Sequence, residues 1–227
     1  MMKTIVLYSN DDYAVVYKPC GYLSEMKDDG TLTVPSDIHE ILGVMPYTVH
    51  RLDRGTDGLM VYALKKSAAA EFSRLIADGG LKKRYRAVIT PSSDLPEEGE
   101  MRDFLFFDRR RDKSFVVDGK RAGSKEAVLR YKLGESFEIK GKAVRAAYVE
   151  LETGRTHQIR VQFASRQSPL AGDGKYGSRI NYGGPSLTSI YLSFMWKGKR
   201  EEYRLEDYCL GDNVKNDNVN DCEINNE

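Results

Sequence analysis

His50-Arg51-Leu52-Asp53-Arg54-Gly55-Thr56-Asp57-Gly58-Leu59 sets Asp53 between two arginines, in a tight turn that runs into the apolar stretch 59–64. Cationic neighbours favour the ionised carboxylate, and a turn presents it where a strand interior would bury it, so Asp53 is the candidate nucleophile. A structural salt bridge is the plainer alternative. The turn also introduces the fold: it opens onto a short β-type run, and most apolar runs elsewhere in the chain share that length and character.

Before the turn, residues 4–8 and 13–17 are β-branched and aromatic runs split by Ser9-Asn10-Asp11-Asp12, which predicts two strands joined by a turn. After it, 59–64 predicts a buried strand. Ser67 stands where it could cap a helix through Ala77, with Phe72, Leu75 and Ile76 on one face and Gly79-Gly80 at its end. Residues 83–90, 126–133, 143–151, 190–196 and 202–205 carry strand patterns, and 91–99 reads as a polar loop. Thr153-Gly154-Arg155-Thr156 predicts a turn, with Thr156 capping a helix from His157. Ile159, Val161 and Phe163 also alternate as a strand would, so periodicity leaves both readings open. Strands outnumber helices and no repeat is present. The expectation is one α+β domain over residues 1–210, with a mixed, largely antiparallel central sheet flanked by a few helices. The Asn/Asp-rich segment 211–227 holds too few apolar residues to fold and is expected to be a disordered acidic tail.

A net charge of +1 conceals an asymmetry. Residues 201–227 carry nine acids and two bases, which leaves 33 bases against 25 acids, or +8, in the first 200. Within that body, residues 50–90 have nine Lys/Arg to four acids and 109–132 have nine to three. Such an excess fits a polyanion partner, with a merely solvated surface as the bland alternative. Cys20, Cys209 and Cys222 form no C-x-x-C and have no histidine at ligand spacing, so neither a disulfide framework nor zinc is expected, and a reducing cytoplasm is. No apolar run has signal-peptide or membrane-spanning length, and no membrane partner is expected.

Three segments stand out together: 50–59, 82–90 (Lys-Lys-Arg-Tyr-Arg-Ala-Val-Ile-Thr) and 153–164 (Thr-Gly-Arg-Thr-His-Gln-Ile-Arg-Val-Gln-Phe-Ala). Their HRLDR, KxY and GRTHQIR patterns follow in the order of the RluA family of pseudouridine synthases, which the chain resembles. Asp11-Asp12-Tyr13-Ala14-Val15-Val16-Tyr17-Lys18-Pro19 is similar to that family's opening strands. Pro169-Leu170-Ala171-Gly172-Asp173 with Tyr176-Gly177 is similar to its PxxGDxxYG element. The resemblance implies the pseudouridine synthase fold, here without an N-terminal S4-type domain. It also implies isomerisation of uridines in structured RNA, ribosomal or transfer, with no cofactor and no metal. By resemblance Asp53 is the nucleophile, Arg160 its cationic partner and Tyr85 the face on which the flipped base stacks. Arg51 would fill the gap left by that base, Arg54, Lys82, Lys83 and Arg84 would contact phosphate, and Arg155 and His157 would also belong to the RNA-binding set. A monomer is expected. Asp57 departs from the family, which more often has Ser or a small residue there.

Two other functions compete. A non-catalytic RNA-binding protein on the same scaffold would be expected to lose Asp53 or Arg160, and both are present. A nucleoside glycosidase needs a second, proton-donating carboxylate, for which Asp57 is the nearby candidate. His50 and His157 are read as hydrogen-bonding residues that position their motifs, and the G-x-G-x-x-G at 172–177 lacks the strand and helix a dinucleotide site needs.

Overall fold

The computed structural model describes residues 2–180 and 183–208, and over these the chain forms two compact units. The first comprises residues 2–83 and 188–208. Strands β1 (Ile5–Ser9) and β2 (Tyr13–Lys18) pair antiparallel around a turn in which Asn10 Oδ1 accepts the backbone N–H of Asp12 (2.8 Å) and Tyr13 (2.9 Å). β2 pairs antiparallel with β4 (Asp57–Ala63), from Tyr13 opposite Ala63 to Lys18 opposite Gly58. The short β3 (Tyr47–Thr48) also lies on β4, and β10 (Leu187–Trp196) runs parallel to β4 and antiparallel to β11 (Lys199–Arg204). Helix α2 (Lys66–Ala77) covers one face through Phe72, whose ring stacks on Trp196 at 4.7 Å and meets Phe194 edge-on at 5.1 Å. These rings, with Tyr13, Leu59, Val61 and Leu192, make a core that fixes where the turn before β4 emerges.

The second unit comprises residues 84–180 and 183–187. It is built on the antiparallel order β5–β9–β8–β6–β7, from β5 (Lys82–Ile89), β9 (Lys142–Leu151), β8 (Ser124–Ile139), β6 (Glu98–Asp108) and β7 (Lys113–Val117). Helix α3 (Gln158–Ser165) lies on this sheet, with Val161 packed among Leu105, Ala127 and Tyr176. The strands thus give the mixed, largely antiparallel sheet with few flanking helices that the sequence predicts.

Several elements differ from expectation for physical reasons. α1 (Val34–Leu42) is started by Thr33, whose Oγ1 accepts from Ser36 N at 3.2 Å, and by Pro35 in its first turn; it ends on Gly43 at φ 71°. The Thr-Val-Pro-Ser stretch at 33–36 is the local signal for this helix start. α2 begins one residue before Ser67 and has no side-chain cap, while Gly79 and Gly80 close it through N–H bonds to Ile76 and Leu75. β6 begins inside the stretch expected to be loop and extends past it, because Met101 and Leu105 face the core while Glu100 and Arg102, on either side of Met101, face solvent. For 158–165 the helix wins over the strand, and His157, not Thr156, is the cap residue, at φ 55°. The acidic tail 211–227 lies outside the described residues.

Candidate active site

Asp53 sits half-buried in the turn between β3 and β4, and its carbonyl accepts Thr56 N–H at 3.0 Å. The turn is held from below by the segment that follows β2. Lys18 is wholly buried, and its ammonium donates to the carbonyls of Thr56 (2.6 Å), Pro19 (3.1 Å) and Arg54 (3.4 Å). Gly21 N–H reaches Arg54 O at 2.8 Å, and Arg54 Nε returns to Gly21 O at 3.0 Å. On the other flank Ser24 Oγ donates to Leu52 O (2.8 Å) and accepts from Leu52 N (3.1 Å). Burial pulls Lys18 down to about 8, opposed by the acidic groups of Cys20, Asp57 and Asp53 nearby. Asp57 is held by two hydroxyls: Tyr17 OH donates to its Oδ2 at 2.9 Å and Thr188 Oγ1 to its Oδ1 at 2.7 Å. A serine would offer one oxygen in place of the two that these hydroxyls meet. Gly58 is required by close approach, since a Cβ would lie 2.2 Å from Ser189 O.

His50 is buried, and its Nε2 accepts Val61 N–H at 3.1 Å, which ties the start of the motif to β4. Burial pushes its imidazole down to about 3, with the charge of Lys83 adding to the effect, so it is neutral at physiological pH. Lys83 itself is lowered by burial, whereas Lys82 is exposed. Arg51 is exposed and pairs with Glu25 at 3.1 Å.

In the second unit Arg160 is buried on α3 and gripped by Asp173, with Nε to Oδ2 at 2.7 Å and Nη2 to Oδ1 at 2.9 Å. Its guanidinium also lies over the Tyr176 ring at 5.1 Å. His157 is buried too: its Nδ1 shares a 3.0 Å hydrogen bond with Tyr176 OH. Tyr85 is buried in β5 opposite Val149, Arg84 pairs with Glu150 at 3.2 Å, and Arg155 Nε donates to Glu126 O at 2.8 Å. Asp53, Arg51, Arg54, Lys82 and Lys83 therefore belong to the first unit, and Arg160, Tyr85, Arg84, Arg155 and His157 to the second. Lys18, Asp173 and Tyr176 carry positioning roles that sequence reasoning missed. All three stood inside quoted family motifs, but nothing in a linear pattern says that a lysine is buried or which acid meets which arginine.

The model of the RNA pseudouridylate synthase family matches residues 12–165, and the chain belongs to that family. Within it the chain is RluA-like. It is 35% identical over 209 residues to an uncharacterised RNA pseudouridine synthase of Aquifex aeolicus (strain VF5), covering 82% of this chain and 60% of that protein. It is 33% identical over 187 residues to ribosomal large subunit pseudouridine synthase D of Xanthomonas campestris pv. campestris, covering 77% of this chain and 52% of that protein. The chain thus spans little more than half the length of these relatives. Among solved structures, human RNA pseudouridylate synthase domain containing 1 superposes with a TM-score of 0.77 at 21% identity, over 89% of this chain and 82% of that one, a likeness of fold.

Proposed function

We propose that the chain is an RNA pseudouridine synthase, an isomerase acting on uridines of structured ribosomal or transfer RNA in the cytoplasm, with residues 1–210 as its catalytic domain. In the reaction the N1–C1′ bond of uridine breaks and a C5–C1′ bond forms. C5 loses its proton and N1 gains one, so atoms and electrons balance without a redox partner. Asp53 supplies the carboxylate, Arg160 the compensating cation and Tyr85 the aromatic face for the base. The observation that carries this reading is the braced Asp53 turn: Lys18 donates to the carbonyls of Arg54 and Thr56 and Gly21 N–H to that of Arg54, which fixes the backbone from which the Asp53 carboxylate projects.

Mapping pseudouridines in total RNA from a strain lacking the protein identifies the substrate as the positions that vanish. On that RNA Asp53→Asn should abolish pseudouridine formation while keeping the fold, since the amide is nearly isosteric but not nucleophilic. Wild-type turnover by that variant would defeat the proposal. Binding without turnover in the unmutated protein would favour the non-catalytic alternative.

A further inference from the structure

The sheet of the second unit consumes most of its own cations. Arg86 pairs with Glu135 (2.8 Å), Arg102 with Glu100 (3.0 Å) and Glu126 (2.9 Å), and Arg130 with Glu152 (3.0 Å). The turn from β6 to β7 does not. Arg109, Arg110 and Arg111 are all exposed there, and among the described residues Arg109 and Arg110 have no carboxylate partner, while Arg111 reaches Asp108 only at 3.7 Å. Asp108 Oδ1 instead accepts the backbone N–H of Arg110 (2.9 Å) and Arg111 (3.2 Å), which shapes the turn and leaves the guanidinium groups outside.

Aromatic rings are interleaved with the charge. Phe106 stands opposite Phe115, the Arg121 guanidinium lies 5.4 Å over Phe106, and Lys113 Nζ lies 5.7 Å over Phe115 and 5.0 Å over Tyr176. The turn is also fastened to the Arg160 motif. Lys175 donates to Asp112 O (2.7 Å) and Oδ2 (2.6 Å), Ser114 Oγ donates to Thr156 O (2.5 Å), and Ser114 N–H donates to Tyr176 OH (2.8 Å). That phenol is the one bonded to His157, and its ring is the one under Arg160. Lys175 holds the Asp112 carboxyl below its usual range, and His157 and Arg160 contribute to the same effect.

We infer that the β6–β7 turn is a second RNA-contact surface, in which Arg109, Arg110 and Arg111 hold the phosphate backbone, and that Tyr176 ties this grip to Arg160 as a positioning residue. Unpaired exposed guanidinium groups beside half-exposed rings are suited to a nucleic acid strand, where cations track phosphate and rings receive bases. The inference rests on the pseudouridine synthase reading, and its experiment separates the two. Binding is measured on a labelled U-rich RNA stem-loop across a salt series, and turnover on unmodified transfer and ribosomal RNA transcripts. Arg109→Gln/Arg110→Gln should weaken binding about tenfold or more near 0.1 M salt and flatten the slope of log K against log[salt] by about 1.4 to 1.8. The single-turnover rate at saturating RNA should stay at the wild-type value. In a Tyr176→Phe background, which loses the Ser114 N–H bond to the phenol, the same pair should weaken binding by no more than about threefold. An unchanged Kd and salt slope, or a lost rate at unchanged Kd, overturns the surface. Additive effects overturn the tie. Absence of pseudouridine from every transcript with wild-type protein sinks the function and leaves the binding result to judge the turn.

Discussion

Lys18 feeds three carbonyls, and only an ammonium has three N–H donors, so the bracing of the Asp53 turn depends on a proton. With that lysine drawn down to about 8, one of the three bonds is forfeited as pH rises through this value, and turnover should decline with it. Stability should move the other way. The folded value lies below the ordinary 10.5, so in the window from about 8 to 10.5 the unfolded chain binds more protons, and this group's contribution to stability rises with pH. A fall in kcat between pH 7 and 9 at constant or rising Tm is the expected outcome, and a parallel fall in Tm would refute it. Lys18→Met should reduce turnover roughly 10 to 100-fold and remove that alkaline limb. At Arg160, Asp173→Asn leaves a buried guanidinium poorly compensated. Urea denaturation should register a loss of about 3 kcal/mol.

At the scale of elements, the parallel pairing of β4 with β10 sets the pitch of the Asp53 turn through one glycine. Gly58 lies at φ 107° with Ser189 O and N 2.2 Å and 2.6 Å from where a Cβ would sit. Backbone must move to admit a methyl group, so Gly58→Ala should destabilise by about 3 kcal/mol or more and lower turnover, as read from a denaturant midpoint and a pseudouridine assay on the soluble fraction. α3 shows why periodicity left the 153–164 motif undecided between helix and strand. Every residue from Gln158 to Phe163 is buried, Gln162 being bonded to Met101 O (3.2 Å) and Asp103 (2.6 Å) and Gln158 to Val128 O (3.1 Å). A helix covered on all sides has no polar face, so its polar residues cannot mark one, and its three apolar residues alternate by coincidence.

Across the whole molecule, charge separates a basic body from an acidic end. Removing residues 211–227 takes away five acids and one base and raises the net charge from +1 to +5. RNA binding should tighten on truncation at low salt and converge with the full chain once the Debye length is short, which a filter-binding salt titration tests; equal affinities at low salt would mean that the end is electrostatically inert. The family and the strand-rich class were legible from motif order, because those motifs demand particular side chains at particular spacings in one stretch of chain. So were most strands, whose short apolar runs ended in Asn, Asp and Gly. Other features depended on approach between segments distant in sequence: Lys18 beneath a turn more than thirty residues on, Asp57 taken up by Thr188, Asp173 as the clamp of Arg160, and, among the described residues, Arg109 and Arg110 without a carboxylate partner at the β6–β7 turn. By itself the sequence determined which groups were available for chemistry. Only the tertiary structure decided which were buried, neutral, braced or left facing solvent, because burial and partner choice are properties of packing and not of order along the chain.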